Sequence, residues 1–211
     1  MNDPAPIVFI VDDDPSVRRA LARLVRLAGY RAESFDSARA FLAAADPTNC
    51  PACLLLDLQL PDVSGLELQR ELNAALPIIF ITGHGGIGTT VDAMKAGAAD
   101  FLPKPVSDTV LLDAIGRALE RSAQMGECRR ELANLRERAD RLTPREREVM
   151  ALVVTGRLNK QVAGDLGIAE KTIKIHRARV MQKMQAASLA DLVRLADKIG
   201  IGASQPARPI R

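Results

Sequence analysis

Ile7-Val8-Phe9-Ile10-Val11-Asp12-Asp13-Asp14-Pro15 is the stretch on which the reading of this chain turns. Five apolar residues run without polar alternation, the pattern of a strand covered on both faces. Asp14 before Pro15 predicts a helix N-cap with proline at the first helical position. Val17, Leu21, Leu24, Val25 and Ala28 follow at helical spacing, and Gly29 stops the helix. A buried strand passing through an acidic turn into a helix is one βα unit.

The unit then repeats. Arg31 to Phe35 reads as an edge strand with a helix from Ser37 to Ala45, and Cys53 to Asp57 as a strand with a helix from Ser64 to Ala75. Pro77 to Thr82 is a strand with a helix from Ile87 to Ala96, and Asp100 to Leu102 is a short strand with a helix from Ser107. Such a series predicts a doubly wound α/β domain, a five-stranded parallel sheet with helices on both faces. Sheets of this kind bind ligands beyond the carboxyl ends of their strands.

Those ends carry the chemistry. Asp12 and Asp13 follow the first strand, Asp57 ends the third, Thr82 ends the fourth, and Lys104 follows the fifth within Pro103-Lys104-Pro105. Clustered carboxylates repel unless a cation joins them. Three carboxylates suit a hard ion with oxygen ligands, Mg²⁺ foremost. A lysine and a hydroxyl opposite them would hold an incoming phosphoryl group, with Asp57 as the nucleophile that carries it as an acyl phosphate. Single acidic loop residues more often cap helices in solvent, which is the reading for Asp14. Gly83-His84-Gly85-Gly86-Ile87-Gly88 lacks the Lys-Ser/Thr ending of a phosphate-binding loop and reads as a mobile connection, with His84 exposed to solvent.

Charge divides the chain. Residues 1–120 hold 10 Lys/Arg against 16 Asp/Glu, and residues 121–211 hold 19 against 10, although the overall charge is only +3. An acidic module joined to a basic one suggests that the second meets a polyanion. No apolar run reaches the length of a membrane span, and the start lacks an export signal. The 3 cysteines cannot all pair within one chain, which fits a reducing cytoplasm. Cys50 and Cys53 have CxxC spacing, but no second Cys/His pair completes a zinc tetrad and Cys53 opens an apolar strand.

Residues 121–142 read as a helical linker. Met125, Cys128, Leu132, Leu135, Ala139 and Leu142 form a heptad-like seam, weakened by Gly126, that either pairs with a second chain or packs on its own domains. From 143 to 199 the pattern is all helix. Thr143-Pro144-Arg145-Glu146 is a capping box, a second short helix spans Leu158 to Leu166, and a third runs from Glu170 to Met184 after a turn at Gly167-Ile168-Ala169. A fourth covers Ser188 to Ile199, and the tail 200–211, rich in Pro, Gly and Ser, reads as disordered. On the third helix Lys171, Lys174 and Arg177 recur every three residues, flanked by His176 and Arg179, while Ile173, Val180 and Met184 face the core. Such a helix can neutralise phosphates and reach base edges.

Val11-Asp12-Asp13-Asp14, Leu56-Asp57-Leu58-Gln59-Leu60-Pro61, Phe80-Ile81-Thr82-Gly83-His84-Gly85 and Phe101-Leu102-Pro103-Lys104-Pro105 resemble receiver domains of two-component systems. Leu142-Thr143-Pro144-Arg145-Glu146, Asn159-Lys160-Gln161 and Lys171-Thr172-Ile173-Lys174-Ile175-His176-Arg177 resemble LuxR-type DNA-binding domains, and the whole is similar to FixJ/NarL-type regulators. The resemblance implies a flavodoxin-like sheet of order 2-1-3-4-5 in residues 1–120 and a four-helix helix-turn-helix domain in 143–199. It implies phosphorylation of Asp57 by a sensor histidine kinase, with Mg²⁺ on Asp12, Asp13, Asp57 and the Gln59 carbonyl. Thr82 and Lys104 would bind phosphoryl oxygens, and Phe101 would be the aromatic switch. Asn159, Lys160 and the helix from Glu170 to Arg179, with Thr172 and Ile175, would contact promoter DNA. Leu189, Leu192, Val193 and Leu195 would form a homodimer contact, and RNA polymerase would be a partner. Ala169 stands where the family usually has serine as the recognition-helix cap.

The function expected is a cytoplasmic, phosphorylation-dependent transcription regulator, not an enzyme beyond its own phosphoryl transfer and dephosphorylation. Two alternatives stand beside it. An aspartyl-phosphate hydrolase of Rossmann-like fold would have a second acid where Gln59 lies. An unphosphorylated dimerisation scaffold would have no need of the acidic set.

Overall fold

The computed structural model describes residues 5–47, 50–83 and 86–201. Two compact units divide at Glu127 and Cys128. The first alternates β1 (Ile7–Val11), α1 (Pro15–Leu27), β2 (Arg31–Phe35), α2 (Ala38–Ala44), β3 (Ala52–Leu56), α3 (Gly65–Leu72), β4 (Ile78–Thr82), α4 (Ile87–Lys95) and β5 (Asp100–Pro103). All pairings are parallel, and the order is β2-β1-β3-β4-β5, as expected.

β1, β3 and β4 are buried along their whole length because helices cover both faces. On one face Phe9, Leu54, Leu56 and Phe80 pack with Phe41 of α2, Leu68 of α3 and Ala93 of α4. On the other, Val8, Ile10, Leu55 and Ile79 pack with Val25 of α1 and with Leu111 and Ile115 of the next helix. That helix, α5 (Asp108–Asp140), continues unbroken through Gly126 and contains the border between the units. The expected linker is thus the second half of one helix. A single glycine costs a helix only about 1 kcal/mol, and the Leu, Ala, Glu and Arg around it carry the structure past it.

The second unit contains the end of α5 followed by α6 (Pro144–Val153), α7 (Asn159–Leu166), α8 (Glu170–Met184) and α9 (Leu189–Lys198). Leu135, Ala139 and Leu142 of the seam are buried here with Val149, Met150, Val162, Ile173, Val180 and Met184. This half of the seam therefore packs on its own domain. The expectations for the tail from 202 onward and for His84 lie outside the described residues.

Candidate functional site

The sheet ladder extends one residue beyond the strands and so lines the acids up. The Asp57 N–H donates to the Val11 carbonyl at 2.9 Å, and the Lys104 N–H to the Thr82 carbonyl at 2.9 Å. Asp12, Asp57, Thr82 and Lys104 consequently share the carboxyl edge of β1, β3, β4 and β5. The Lys104 ammonium donates to Asp12 Oδ2 and to Asp57 Oδ2, each at 2.7 Å. Carboxylate oxygens of Asp12, Asp13 and Asp57 lie within 4.8 Å of one another. Asp12 is buried, Asp57 half-buried and Asp13 exposed, so the cluster opens to solvent on one side.

Burial pushes the Asp12 carboxyl up from its ordinary range, against the pull of Lys104 and the Asp14 N–H, and the neighbouring Asp57 charge adds to the rise. Burial opposes the Lys104 charge too, but its two carboxylate partners together hold the ammonium above its usual range. One cation is thus shared by two acids while a third stands beside them. That donor set of hard oxygens with surplus negative charge fits a divalent cation.

Backbone details hold the cluster. Gln59 donates its N–H to Asp57 Oδ1 at 3.1 Å. Arg18, which the sequence did not single out, donates to the carbonyls of Asp12 at 2.6 Å and Asp13 at 2.8 Å and fixes the turn between them. Gly65 at the start of α3 packs closely behind Asp57: a Cβ there would lie 2.7 Å from the Asp57 carbonyl oxygen and 3.0 Å from the Phe80 ring. A glycine in the first turn of an otherwise ordinary helix was the available signal. Asp14 caps α1, accepting the Ser16 N–H at 2.7 Å. Thr82 is buried at the end of β4, and the half-buried Phe101 lies with its ring 5.9 Å from that of Phe80. Cys53 is fully buried and its thiol is pushed up to about 12 by burial, which removes it from thiolate chemistry and with it the CxxC reading.

In the second unit, α7, the turn at Gly167 and α8 form the helix-turn-helix. Gly167 ends α7 at φ 63°, the left-handed conformation glycine adopts freely. Lys171, Lys174, Ile175 and Arg179 are exposed on α8, Thr172, His176 and Arg177 are half-buried, and Ile173, Val180 and Met184 are in the core. Glu170 pairs with Lys174 at 3.3 Å, one turn apart. Arg177 donates to Asn159 Oδ1 at 3.1 Å, so it braces α7 against α8 as well as facing outward. Lys160 is exposed at the start of α7. Ala169 caps α8 without a side-chain hydrogen bond.

The expected dimer set divides. Leu192 is fully buried and belongs to the core, and Leu195 packs partly against it. Leu189 and Val193, 36% and 38% exposed, are the pair left on the surface. On a short amphipathic helix the four leucine and valine positions read alike from sequence, and only packing separates the two faces. Glu146 and Lys183, unmentioned as a pair by the sequence, form a 2.6 Å ion pair with Glu146 2% exposed.

Residues 8–116 match the response regulator receiver domain family, and residues 140–196 match the bacterial regulatory proteins of the luxR family. Nodulation protein W of Bradyrhizobium diazoefficiens is 52% identical over 201 residues, covering 94% of this chain and 88% of that protein. Transcriptional regulatory protein FixJ of Rhizobium meliloti is 44% identical over 200 residues, covering 93% and 98%. Among solved structures, response regulator StyR superposes with a TM-score of 0.79 at 48% identity over 92% of this chain and 99% of that one. Full-length FixJ from B. japonicum gives 0.55 at 38% identity over 94% and 98%.

Proposed function

This chain belongs to the response regulators that join a receiver domain to a LuxR-type DNA-binding domain, and on that footing we propose that a phosphoryl group on Asp57 switches its binding to promoter DNA. It is a FixJ-like transcriptional regulator, with DNA and a sensor kinase as its partners. The observation that carries the switch is the Lys104 ammonium, held by both Asp12 and Asp57 at 2.7 Å.

Asp57 Oδ attacks the phosphorus of a phosphohistidine, the P–N bond breaks, and the electron pair leaves with the imidazole, which takes up a proton. Asp12, Asp13 and Asp57, with the Gln59 carbonyl, would hold Mg²⁺, which offsets negative charge on the phosphoryl oxygens and the carboxylates. Lys104 exchanges its bond to Asp57 for one to a phosphoryl oxygen, and the Thr82 hydroxyl donates to another. Thr82 moves toward the group and Phe101 turns into the space behind it, so that the phosphorylated state selects one of two arrangements of the β4–α4 region. Hydrolysis at Asp57 resets the switch, so the chemistry proposed for the chain is phosphoryl transfer to Asp57 and its removal.

The selected state favours a homodimer. Leu189 and Val193 of α9 supply the contact between DNA-binding domains, and two α8 helices then reach two half-sites. Lys171, Lys174 and Arg179 neutralise phosphates or reach guanine edges, and the exposed Ile175 lies against thymine methyls. Asn159, Lys160, Glu170, Thr172, His176 and Arg177 border that surface. The bound regulator acts on RNA polymerase in the cytoplasm.

The test compares wild type with Asp57→Asn, each with Mg²⁺ and beryllofluoride. Dimerisation and tighter DNA binding by wild type alone support the switch. Equal DNA binding by both, with and without the mimic, would instead make the receiver a scaffold.

A further inference from the structure

Lys183 lies in the last turn of α8, and the DNA-binding reading leaves it unused. Its ammonium donates to Glu146 Oε2 at 2.6 Å and to the Arg141 carbonyl at 3.0 Å. The same Oε2 accepts the Thr143 N–H at 2.9 Å, and the Thr143 hydroxyl accepts the Glu146 N–H at 3.3 Å. One side chain of α8 therefore gathers the turn after α5, the cap of α6 and a carboxylate that is 2% exposed. The Arg177–Asn159 bond ties α8 to α7 separately.

α8 packs on the core through Ile173, Val180 and Met184, and apolar packing fixes depth better than it fixes direction. Hydrogen bonds between charged groups constrain both distance and angle. A helix that reads base edges must be held in tilt and roll, since a small displacement uncouples side chains from their bases while leaving phosphate attraction intact. We propose that Lys183 is a positioning residue for sequence-specific DNA binding, setting the orientation of α8 through Glu146 and the Arg141 carbonyl without touching DNA. This rests on the DNA-binding reading above.

A lysine on a recognition helix is ordinarily a phosphate contact, and the two roles separate in salt dependence. Lys183 cannot leave for a phosphate without stranding the Glu146 carboxylate in the interior. The Lys183→Met change alone has the same defect, so the variant is the neutral pair Lys183→Met with Glu146→Gln in the full chain. Circular dichroism at the assay temperature establishes that it is folded. Lys183→Gln with Glu146→Gln, too short to span both acceptors, is the second pair should the first unfold, and it carries the same expectation.

With Mg²⁺ and beryllofluoride present throughout, the probes are a duplex selected by the wild-type chain from a random-sequence pool and an unselected duplex of the same length. The expected result is a loss of roughly tenfold on the selected duplex, the size usual for a charged hydrogen bond. Affinity for the unselected duplex and the slope of log affinity against log salt should stay unchanged. Unchanged affinity on both duplexes overturns the proposal. Equal losses on both, with the slope reduced by about 0.9 per bound protomer, overturn it too and make Lys183 a phosphate contact. Failure of the wild type to select any duplex would strike the DNA-binding reading itself, a result distinct from the others.

Discussion

Asp12 in the receiver unit and Glu146 in the DNA-binding unit are 3% and 2% exposed, and each has a lysine ammonium, at 2.7 Å and 2.6 Å. Their charges are nevertheless treated in opposite ways. The Asp12 carboxyl is raised, chiefly by burial, because Lys104 is divided between it and Asp57, whose own charge repels it. Burial works against Glu146 as well, yet Lys183 and the Thr143 N–H outweigh it and hold its carboxyl below the usual range. The first site has more negative charge than its lysine can satisfy, and the second is complete. The difference distinguishes a cluster whose surplus charge suits a cation from a pair that holds a fold together.

Breaking the complete pair should have the largest effect. Lys183→Met leaves the Glu146 charge buried and should destabilise the second unit by roughly 3 kcal/mol, the low end for such pairs because the lysine is partly exposed. Urea unfolding followed by circular dichroism measures it, and a loss below the error of the method would remove the distinction. The pH dependence sharpens the point. Glu146 has a lowered folded-state pKa, so its contribution is present above the ordinary glutamate range and is lost as pH falls through the folded value. Glu146→Gln should therefore flatten the acid limb of the stability curve of that unit.

Crowding the receiver site comes next. Gly65→Ala pushes a methyl to within 2.7 Å of the Asp57 carbonyl and 3.1 Å of Leu58 Cα, both backbone atoms that cannot rotate away. A cost of about 1–3 kcal/mol is expected. The response to beryllofluoride should weaken in the same variant, because Asp57 is displaced.

Removing charge from the unsatisfied cluster should act in the other direction. Asp12→Asn is expected to stabilise the metal-free receiver at pH 7 by about 0.5–2 kcal/mol while impairing the phosphoryl response. A destabilised variant in thermal melts without Mg²⁺ would show that Asp12 is satisfied after all. The smallest effect lies at the turn into α8. Ala169→Ser should add a capping hydrogen bond of about 1 kcal/mol, read as a higher melting temperature of the second unit.

Much of this was legible in the residues. Continuous apolar runs identified β1, β3 and β4, and the Asp14-Pro15 and Thr143-Pro144-Arg145-Glu146 caps appear as expected. The order of the sheet and the polar residues at its carboxyl edge followed from the βα repeat and the resemblance together. Less legible was α5, where the change of pattern after the receiver suggested a separate helical linker and the structure has one continuous helix. On α9 the periodicity could not say which of Leu189, Leu192, Val193 and Leu195 the core would take.

By itself, the sequence determined what is local: which segments are strands, where helices begin, and which residue types arrive at the strand ends. These follow from side-chain periodicity and from capping, interactions between residues a few positions apart. Only the tertiary structure decided which charges share a partner. Lys104 meets Asp12 and Asp57 across 92 and 47 positions, and Lys183 meets Glu146 across 37. Burial turns such meetings into large effects because it removes the water that would otherwise screen them, and burial belongs to the packed chain as a whole.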